Sequence, residues 1–423
     1  MTIKPTASFP SASSISEVKP SDPSRAAGRA SANFLTESEK CEMLQNRGYS
    51  KLLKERTGNH LMLTAHRGMG PTSVFGSTFP EKYLPENSLV AIRAAILQGA
   101  DAIEIDIFKS KDGQVIVTHD DEIWRNEFGA DRSGPKPPLR ETTSSYLVGQ
   151  KTADELKQVR IGRNGETMPT LSEVMELVND ANVTLTQYGE KPILLNIELK
   201  DATAVSATLD LIADGAAENG GTPIENIVFC SFKHEALRQL KAEAERRGMS
   251  GINIAPGIKT ADLFGKEQMN ADFTLKDPKA KYQANAEANL RKLVEGNGFQ
   301  GYDGILWDLR KPIVDLALDG GKALHASTSD FRQYNDNRDF ARVLLELSKR
   351  VDTFFKCDNV DDARKVLLES SMLMAGIGIQ VMHKTAEDGS DCFYFCQAGG
   401  TDTRDILATG AKKPIAYSKL GRD

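Results

Sequence analysis

The chain has 423 residues, 40% of them hydrophobic, which is enough to bury a sizeable core and fits two ordinary domains or one large barrel with extensions. A net charge of −6 supplies no basic surface able to compete for a phosphate backbone, so nucleic acid is excluded as a partner class while small phosphorylated molecules are not. There is no apolar run of about eighteen residues to cross a membrane, and the N-terminus lacks the basic, apolar and small-residue order of a secretory signal, so a reducing, cytoplasmic compartment is expected.

The first segment, Met1 to about Phe34, contains eight Ser and four Pro with few large apolar residues. Such a segment cannot offset its ordering entropy by burial, and residues 1–35 are expected to form a disordered tail. Its composition is also similar to the unstructured export segments of bacterial type III effectors, which leaves export through this segment as the alternative to a plain flexible tail. Thr36 and Glu39 stand in capping-box spacing at the start of "TESEKCEMLQNRGYSKLLKERTG", Thr36 to Gly58, which predicts an N-terminal helix within residues 36–59.

From residue 60 strand-like and helix-like runs alternate. The strand candidates are "LMLTAH" ending at His66, "AIEIDI" from Ala102, "ILLNIEL" from Ile193, "NIVFCSF" from Asn226, "GINIAP" from Gly251, "DGILWD" from Asp303, "KALHAST" from Lys322 and "DTFFKCD" from Asp352. Between most of them lie helical patterns. In "SLVAIRAAILQG", Leu89, Ile92 and Ile96 form an apolar stripe, Asn87 or Ser88 can cap, and Gly99 can end the helix. Eight such alternations over roughly 310 residues suggest a closed parallel (β/α)8 TIM barrel across residues 60–375. Two regions fall outside the repeat: the Gly-, Pro- and Ser-rich insertion at 126–150, which reads as a long loop shaping access to the barrel mouth, and a C-terminal extension at 376–423. Five cysteines, Cys41, Cys230, Cys357, Cys392 and Cys396, are an odd and scattered set, which argues against a disulfide framework. Cys392 and Cys396 alone lie close together, and they read as ordinary thiols in a C-terminal strand pair.

The stretch "AIEIDIFKSKDGQVIVTHD" carries the chemistry. Asp112-Gly113 is a strong hairpin signal, so "VIVTHD" is expected to return antiparallel as an excursion from the second barrel strand. A two-residue turn there sets Lys111 opposite Gln114 and therefore Asp106 opposite His119. By alternation Glu104 and Asp106 share one face, while Ile103, Ile105 and Ile107 point towards the helices. Two inward carboxylates are costly to bury as ions unless a cation or a buried Arg or Lys pairs with them. Two other strands end in similar chemistry: the first in His66 and Arg67, and "LLNIELK" in Glu198 and Lys200. Catalytic groups collect at the C-terminal ends of barrel strands, so these residues are expected to meet at one mouth. Hard carboxylate oxygens favour Mg2+ or Ca2+ over zinc. A divalent ion flanked by Arg and Lys, with two histidines for acid and base, suits cleavage of a phosphodiester.

These residues lie in "HRGMG" from His66, "PENS" from Pro85, "GADAIEID" from Gly99, "KDGQVIVTHD" from Lys111, "MPTLSEVMEL" from Met168 and "NIELK" from Asn196. In that order the motifs resemble the signature of the glycerophosphodiester phosphodiesterase family, strongly from about Leu61 to Lys200 and more weakly beyond. The resemblance implies a (β/α)8 barrel in which Glu104, Asp106 and Glu198 bind Mg2+ or Ca2+, His66 and His119 are the acid/base pair, and Arg67 and Lys200 hold the phosphate of a small-molecule phosphodiester. Glu86, in the PEN motif, would support His66 or Arg67; near a helix N-terminus it can equally be favoured by the helix dipole alone. The family usually carries a Trp in a "WT" step near the end of the seventh strand, where this chain has Ser327 before Thr328. That departure, the fourteen residues from Pro71 to Leu84 and the 126–150 insertion put glycerol specificity in question. Alternatives to hydrolysis are therefore a phosphodiester synthase or transferase similar to the agrocinopine synthases, a ring-forming cleavage as in related spider phospholipase toxins, and a binding barrel without turnover. The remaining histidines, His60, His234, His325 and His383, read as structural or exposed, with His325 alone near enough in the pattern to reach the site. Oligomeric state has no signature in the sequence.

Overall fold

The computed structural model describes residues 34–423 apart from 58–59, 71–83, 128–146, 218–221, 271–275, 278–279, 306–310, 328–340, 342–343, 346, 378, 386–390, 398–414 and 417–423. Residues 1–33 of the expected tail, almost all of the first loop, most of the 126–150 insertion and Thr328 lie outside the described residues.

The strands are β1 (Leu61–Ala65), β2 (Ala102–Lys109), β3 (Val115–Val117), β4 (Leu194–Leu199), β5 (Ile227–Ser231), β6 (Asn253–Ile258), β7 (Gly301–Ile305), β8 (Ala323–Ser327) and β9 (Thr353–Cys357). They form one sheet in the order β1-β9-β8-β7-β6-β5-β4-β2-β3, and a further parallel pairing of β1 with β2 closes it. Eight parallel strands therefore make a (β/α)8 barrel, with β3 hanging antiparallel from β2. All eight expected barrel strands occur, within a few residues of their sequence bounds.

Among the described residues the helices of eight residues or more are α1 (Glu37–Thr57), α2 (Leu89–Leu97), α3 (Leu171–Gln187), α4 (Val205–Ala217), α5 (His234–Arg246), α6 (Ala286–Val294), α7 (Lys311–Gly320) and α8 (Val360–Ile377). Ser88 caps α2 by accepting from the backbone N–H of Ala91, and Thr170 with Glu173 closes a reciprocal capping box on α3. Ile103, Ile105 and Ile107 are fully buried in the same core as Leu171, Val174 and Val178 of α3. The isoleucines of β2 thus weld the barrel wall to its helices and leave Glu104 and Asp106 facing inward.

The hairpin departs from the expected register. Ile107 pairs with Val117 and Lys109 with Val115, so the residue opposite Asp106 is Thr118, whose N–H donates to the Asp106 carbonyl at 2.9 Å, and not His119. The turn holds three residues, Lys111 to Gly113: the N–H of Ser110 donates to Gln114 O at 2.8 Å, and only Gly113 has positive φ, at 88°. A two-residue type I′ turn needs positive φ at both positions, and Asp112 does not adopt it. Its side chain instead accepts from Ser110 Oγ at 2.6 Å and from the N–H of Ala153 at 3.0 Å, which favours the longer loop.

Helix α1 packs against α2 and α8 and bonds the residues that lead into β2, with Arg47 donating to Ala100 O at 3.1 Å and Ser50 to Gly99 O at 3.2 Å. Asp101, just before β2, is buried against Arg47 and Lys54 of α1 and also accepts from the N–H of Leu63 at 2.9 Å. Beyond α8 the extension forms a separate antiparallel sheet of β10 (Ile379–Thr385), β11 (Asp391–Gln397) and β12 (Ile415–Ala416), in which β11 carries both Cys392 and Cys396. Among the described residues no helix is long and apolar enough to cross a membrane.

Removing the Asp101 carboxylate leaves two cations facing a buried position. Asp101→Ala is expected to lower unfolding free energy by about 3–5 kcal/mol in urea titrations, as for a broken buried pair. A loss below about 1 kcal/mol, the range of an exposed pair, would mean that α1 is held by apolar contacts alone.

Candidate active site

Strands β1, β2 and β4 carry, or are directly followed by, six of the eight residues singled out from the sequence. Glu104 and Asp106 project from β2 and Glu198 from β4; their nearest carboxylate oxygens all lie within 4.8 Å of one another, and all three residues are buried. Register explains the meeting, since Asp106 and Glu198 are direct partners across the β2–β4 pair. His66 and Arg67 follow β1 in a tight turn closed by Gly70 N–H to His66 O at 2.8 Å. Arg67 itself has positive φ, 50°, and Gly68 has φ 83° with no room for a side chain, because a Cβ there would stand 2.8 Å from the Ala91 backbone.

The turn aims Arg67 at the acids. Its N–H donates to Glu104 Oε2 at 3.0 Å, its Nη1 donates to Glu86 Oε1 at 3.3 Å, and its Nε lies 3.6 Å from Asp106 Oδ2. Glu86 therefore supports Arg67, whereas His66 is held by another residue: its Nδ1 is 2.8 Å from Asp358 Oδ1. Lys200 donates to Glu198 Oε1 at 2.7 Å and stands 3.1 Å from Asp106 Oδ1. His119, carried past β3, has its Nδ1 3.3 Å from Asp120 Oδ1. His325 is elsewhere in the barrel, stacked on Phe354 with ring centroids 4.2 Å apart, and burial pushes its pKa down to about 4.

Buried Lys and Arg do pair with the acids, as one reading of the sequence anticipated, but they do not balance them. Five carboxylates, Glu86, Glu104, Asp106, Glu198 and Asp303, face three cations, Arg67, Lys200 and the Lys356 that is bonded to Asp303 at 2.6 Å and also pulls on Glu104. Asp106 is kept ionised: burial opposes its charge, but Lys200, His119 and Arg67 overcome it and hold its pKa far below the usual range. Glu104 and Glu198 go the other way, raised first by burial and then by the neighbouring acids against the pull of nearby cations. Asp106 Oδ1 is buried and accepts no aligned hydrogen bond. A trio of hard oxygens with surplus negative charge could hold a divalent cation.

Both histidines sit beside a carboxylate yet differ in charge preference. Burial lowers the pKa of His66 below 6.5, and Asp358 offsets this only in part. Burial also opposes charge on His119, but there Asp106 and Asp120 prevail and the pKa is raised above 6.5.

Residues 66–337 match the model of the glycerophosphoryl diester phosphodiesterase family. The chain belongs to this family. It is 29% identical over 189 residues to a glycerophosphodiester phosphodiesterase of Caldanaerobacter subterraneus subsp. tengcongensis, a match covering 43% of this chain and 63% of that protein. A glycerophosphodiester phosphodiesterase of Bacillus altitudinis is 31% identical over 137 residues, covering 31% of this chain and 46% of the other. The matched segments thus span under two thirds of these relatives' own length. Among solved structures, a phosphodiesterase of Oleispira antarctica in complex with the product sn-glycerol-3-phosphate superposes with TM-score 0.46 and 20% identity, over 74% of this chain and 96% of that one.

Two residues of the site escaped the sequence reading. Asn87, taken as a possible helix cap, is buried with φ 58° and grips Asp106 twice: its Nδ2 donates to Asp106 Oδ2 at 2.9 Å and its Oδ1 accepts from the Asp106 N–H at 3.2 Å. Its signal was the tolerance of Asn for the left-handed region, directly after Glu86. Asp358 lies beyond the matched segment, and its signal was an acid one position past a barrel strand. Asn87→Ala is expected to weaken Mg2+ or Ca2+ binding by about 10–100-fold in calorimetric titrations, as loss of a ligand-orienting partner does. Glu104→Gln should weaken it further; unchanged isotherms in both variants would remove the trio as the metal site.

Proposed function

We propose that this chain is a metal-dependent phosphodiesterase that cleaves a glycerophosphodiester or a sugar phosphodiester by histidine acid/base catalysis. The observation that supports this most is the company kept by the acidic trio: Glu104, Asp106 and Glu198 are buried within reach of one another, with Arg67 and Lys200 against them. Glu104, Asp106 and Glu198 would hold Mg2+ or Ca2+, which when bound neutralises charge on the phosphoryl oxygens. Arg67 and Lys200 orient the phosphate through charge-assisted hydrogen bonds, and Glu86 steadies the Arg67 fork.

His66, neutral and presenting its Nε2, takes the proton from the attacking water as the new P–O bond forms. His119, protonated up to higher pH, gives a proton to the departing alcohol oxygen as the old P–O bond breaks. This assignment fits the opposed charge preferences of the two rings. A substrate hydroxyl in place of water would give a cyclic phosphate, and a sugar hydroxyl of a second molecule would give a new diester, with the same two proton transfers.

Phosphorus NMR of the purified protein with Mg2+ or Ca2+ and a panel of glycerol, choline and sugar phosphodiesters separates these outcomes. A phosphomonoester is expected; a cyclic phosphate or a new diester would replace hydrolysis with ring closure or transfer, and binding without any metal-dependent product would leave a non-catalytic barrel. His66→Ala and His119→Ala should each lower turnover by about 10²–10⁴-fold without loss of fold. Near-normal rates in either would take that histidine out of the reaction. The rate should follow a bell in pH: it falls on the acid side as His66, with its lowered pKa, becomes protonated, and on the basic side as His119, with its raised pKa, loses its proton. A profile flat between about pH 5 and 8, where histidines titrate, would argue against both roles.

A further inference from the structure

His66 and Asp358 are 292 positions apart in the chain and meet because the barrel closes. Strands β1 and β9 run parallel with Ala65 opposite Cys357, and the N–H of His66 donates to Cys357 O at 2.9 Å. One residue further on, the imidazole Nδ1 and the Asp358 carboxylate face each other at 2.8 Å. The Asp358 side chain is 3% exposed, so water competes little for its oxygens. Its backbone is pinned on both sides: β9 ends at Cys357, and Asn359 accepts from the N–H of Asp362 at 3.0 Å as α8 begins, while the N–H of Val360 donates to Gln98 Oε1 at 3.0 Å.

We infer that Asp358 is a positioning residue for His66, forming with it an Asp–His dyad across the β9–β1 seam. The inference rests on the proposed role of His66. An ionised carboxylate only accepts, so a neutral His66 must carry its proton on Nδ1. Nε2 then presents a lone pair to the site, the form a general base requires. When Nε2 takes a proton, the ring becomes an imidazolium, and the buried carboxylate stabilises that charge without moving. The first barrel strand therefore supplies the base, and the last one decides its tautomer.

Nitrogen-15 NMR of the metal-free full-length chain, with the His66 signals assigned by their loss in His66→Gln, reads the tautomer without any substrate. The wild type is expected to hold His66 as the Nδ1–H tautomer, and Asp358→Ala to shift it largely to Nε2–H. With a phosphodiester that turns over, Asp358→Ala should lower kcat by about 10²–10⁴-fold while KM stays within a few-fold, because orientation and not binding is lost. Asp358→Glu should recover part of both readouts. If Asp358→Ala does not fold, Asp358→Asn keeps the volume and removes the charge, and the His66 NMR titration midpoint should move to lower pH. An unchanged Nδ1–H tautomer in Asp358→Ala, or an unmoved midpoint in Asp358→Asn, would reduce Asp358 to a structural acid. Should the wild type turn over no diester, the function proposed above fails while the NMR readouts still decide the dyad.

Discussion

Three carboxylates held within 4.8 Å of each other at the mouth of the barrel set the terms for the rest of the structure. Each loses several kcal/mol of hydration on burial, and each repels the other two. Their neighbours are what that cost demands. Arg67 is forced into a left-handed turn so that both its backbone N–H and its guanidinium face acids. Asn87 adopts the same unusual region and clamps Asp106 through both amide atoms, and Lys200 bridges Asp106 and Glu198. Gly68 allows the His66–Arg67 turn to press onto the backbone of α2. These features make sense together only as the housing of a charged site.

The strand β2 links stability to chemistry. Asp101 at its base is matched by Arg47 and Lys54 and ties α1 to the barrel, while Asp106 near its mouth is matched by Lys200 and Arg67 where a substrate would approach. Charge at the bottom of a barrel reads as structural and charge at the top as functional. The isoleucines between the two acids serve both ends, because their burial against α3 fixes the inward face of the strand.

Much of this was legible along the chain. The eight barrel strands were readable because each is a short apolar or alternating run bounded by turn residues, and the pairing of Glu104 with Asp106 and of Glu198 with Lys200 followed from two-residue alternation. The hairpin register was not readable: two-residue and three-residue loops both accept Asp-Gly, and the choice was made by Ser110 and by the backbone of Ala153, which bond the Asp112 side chain. Asn87 and Asp358 were hidden for a different reason. A hydrogen bond between residues 19 or 292 positions apart leaves no periodic trace.

By itself the sequence determined the alternation of strand and helix, the inward acids of β2 and β4 and the family to which the chain belongs, because these depend on side-chain period and on motifs local in the chain. Only the tertiary structure decided which groups hold one another: Glu86 on Arg67, Asp358 on His66, Asn87 on Asp106, and Thr118 in place of His119 opposite Asp106. Closing β1 against both β2 and β9 brings together strand ends from opposite ends of the chain. That closure is a long-range pairing, set by the packing of the whole barrel and not by any local stretch of residues.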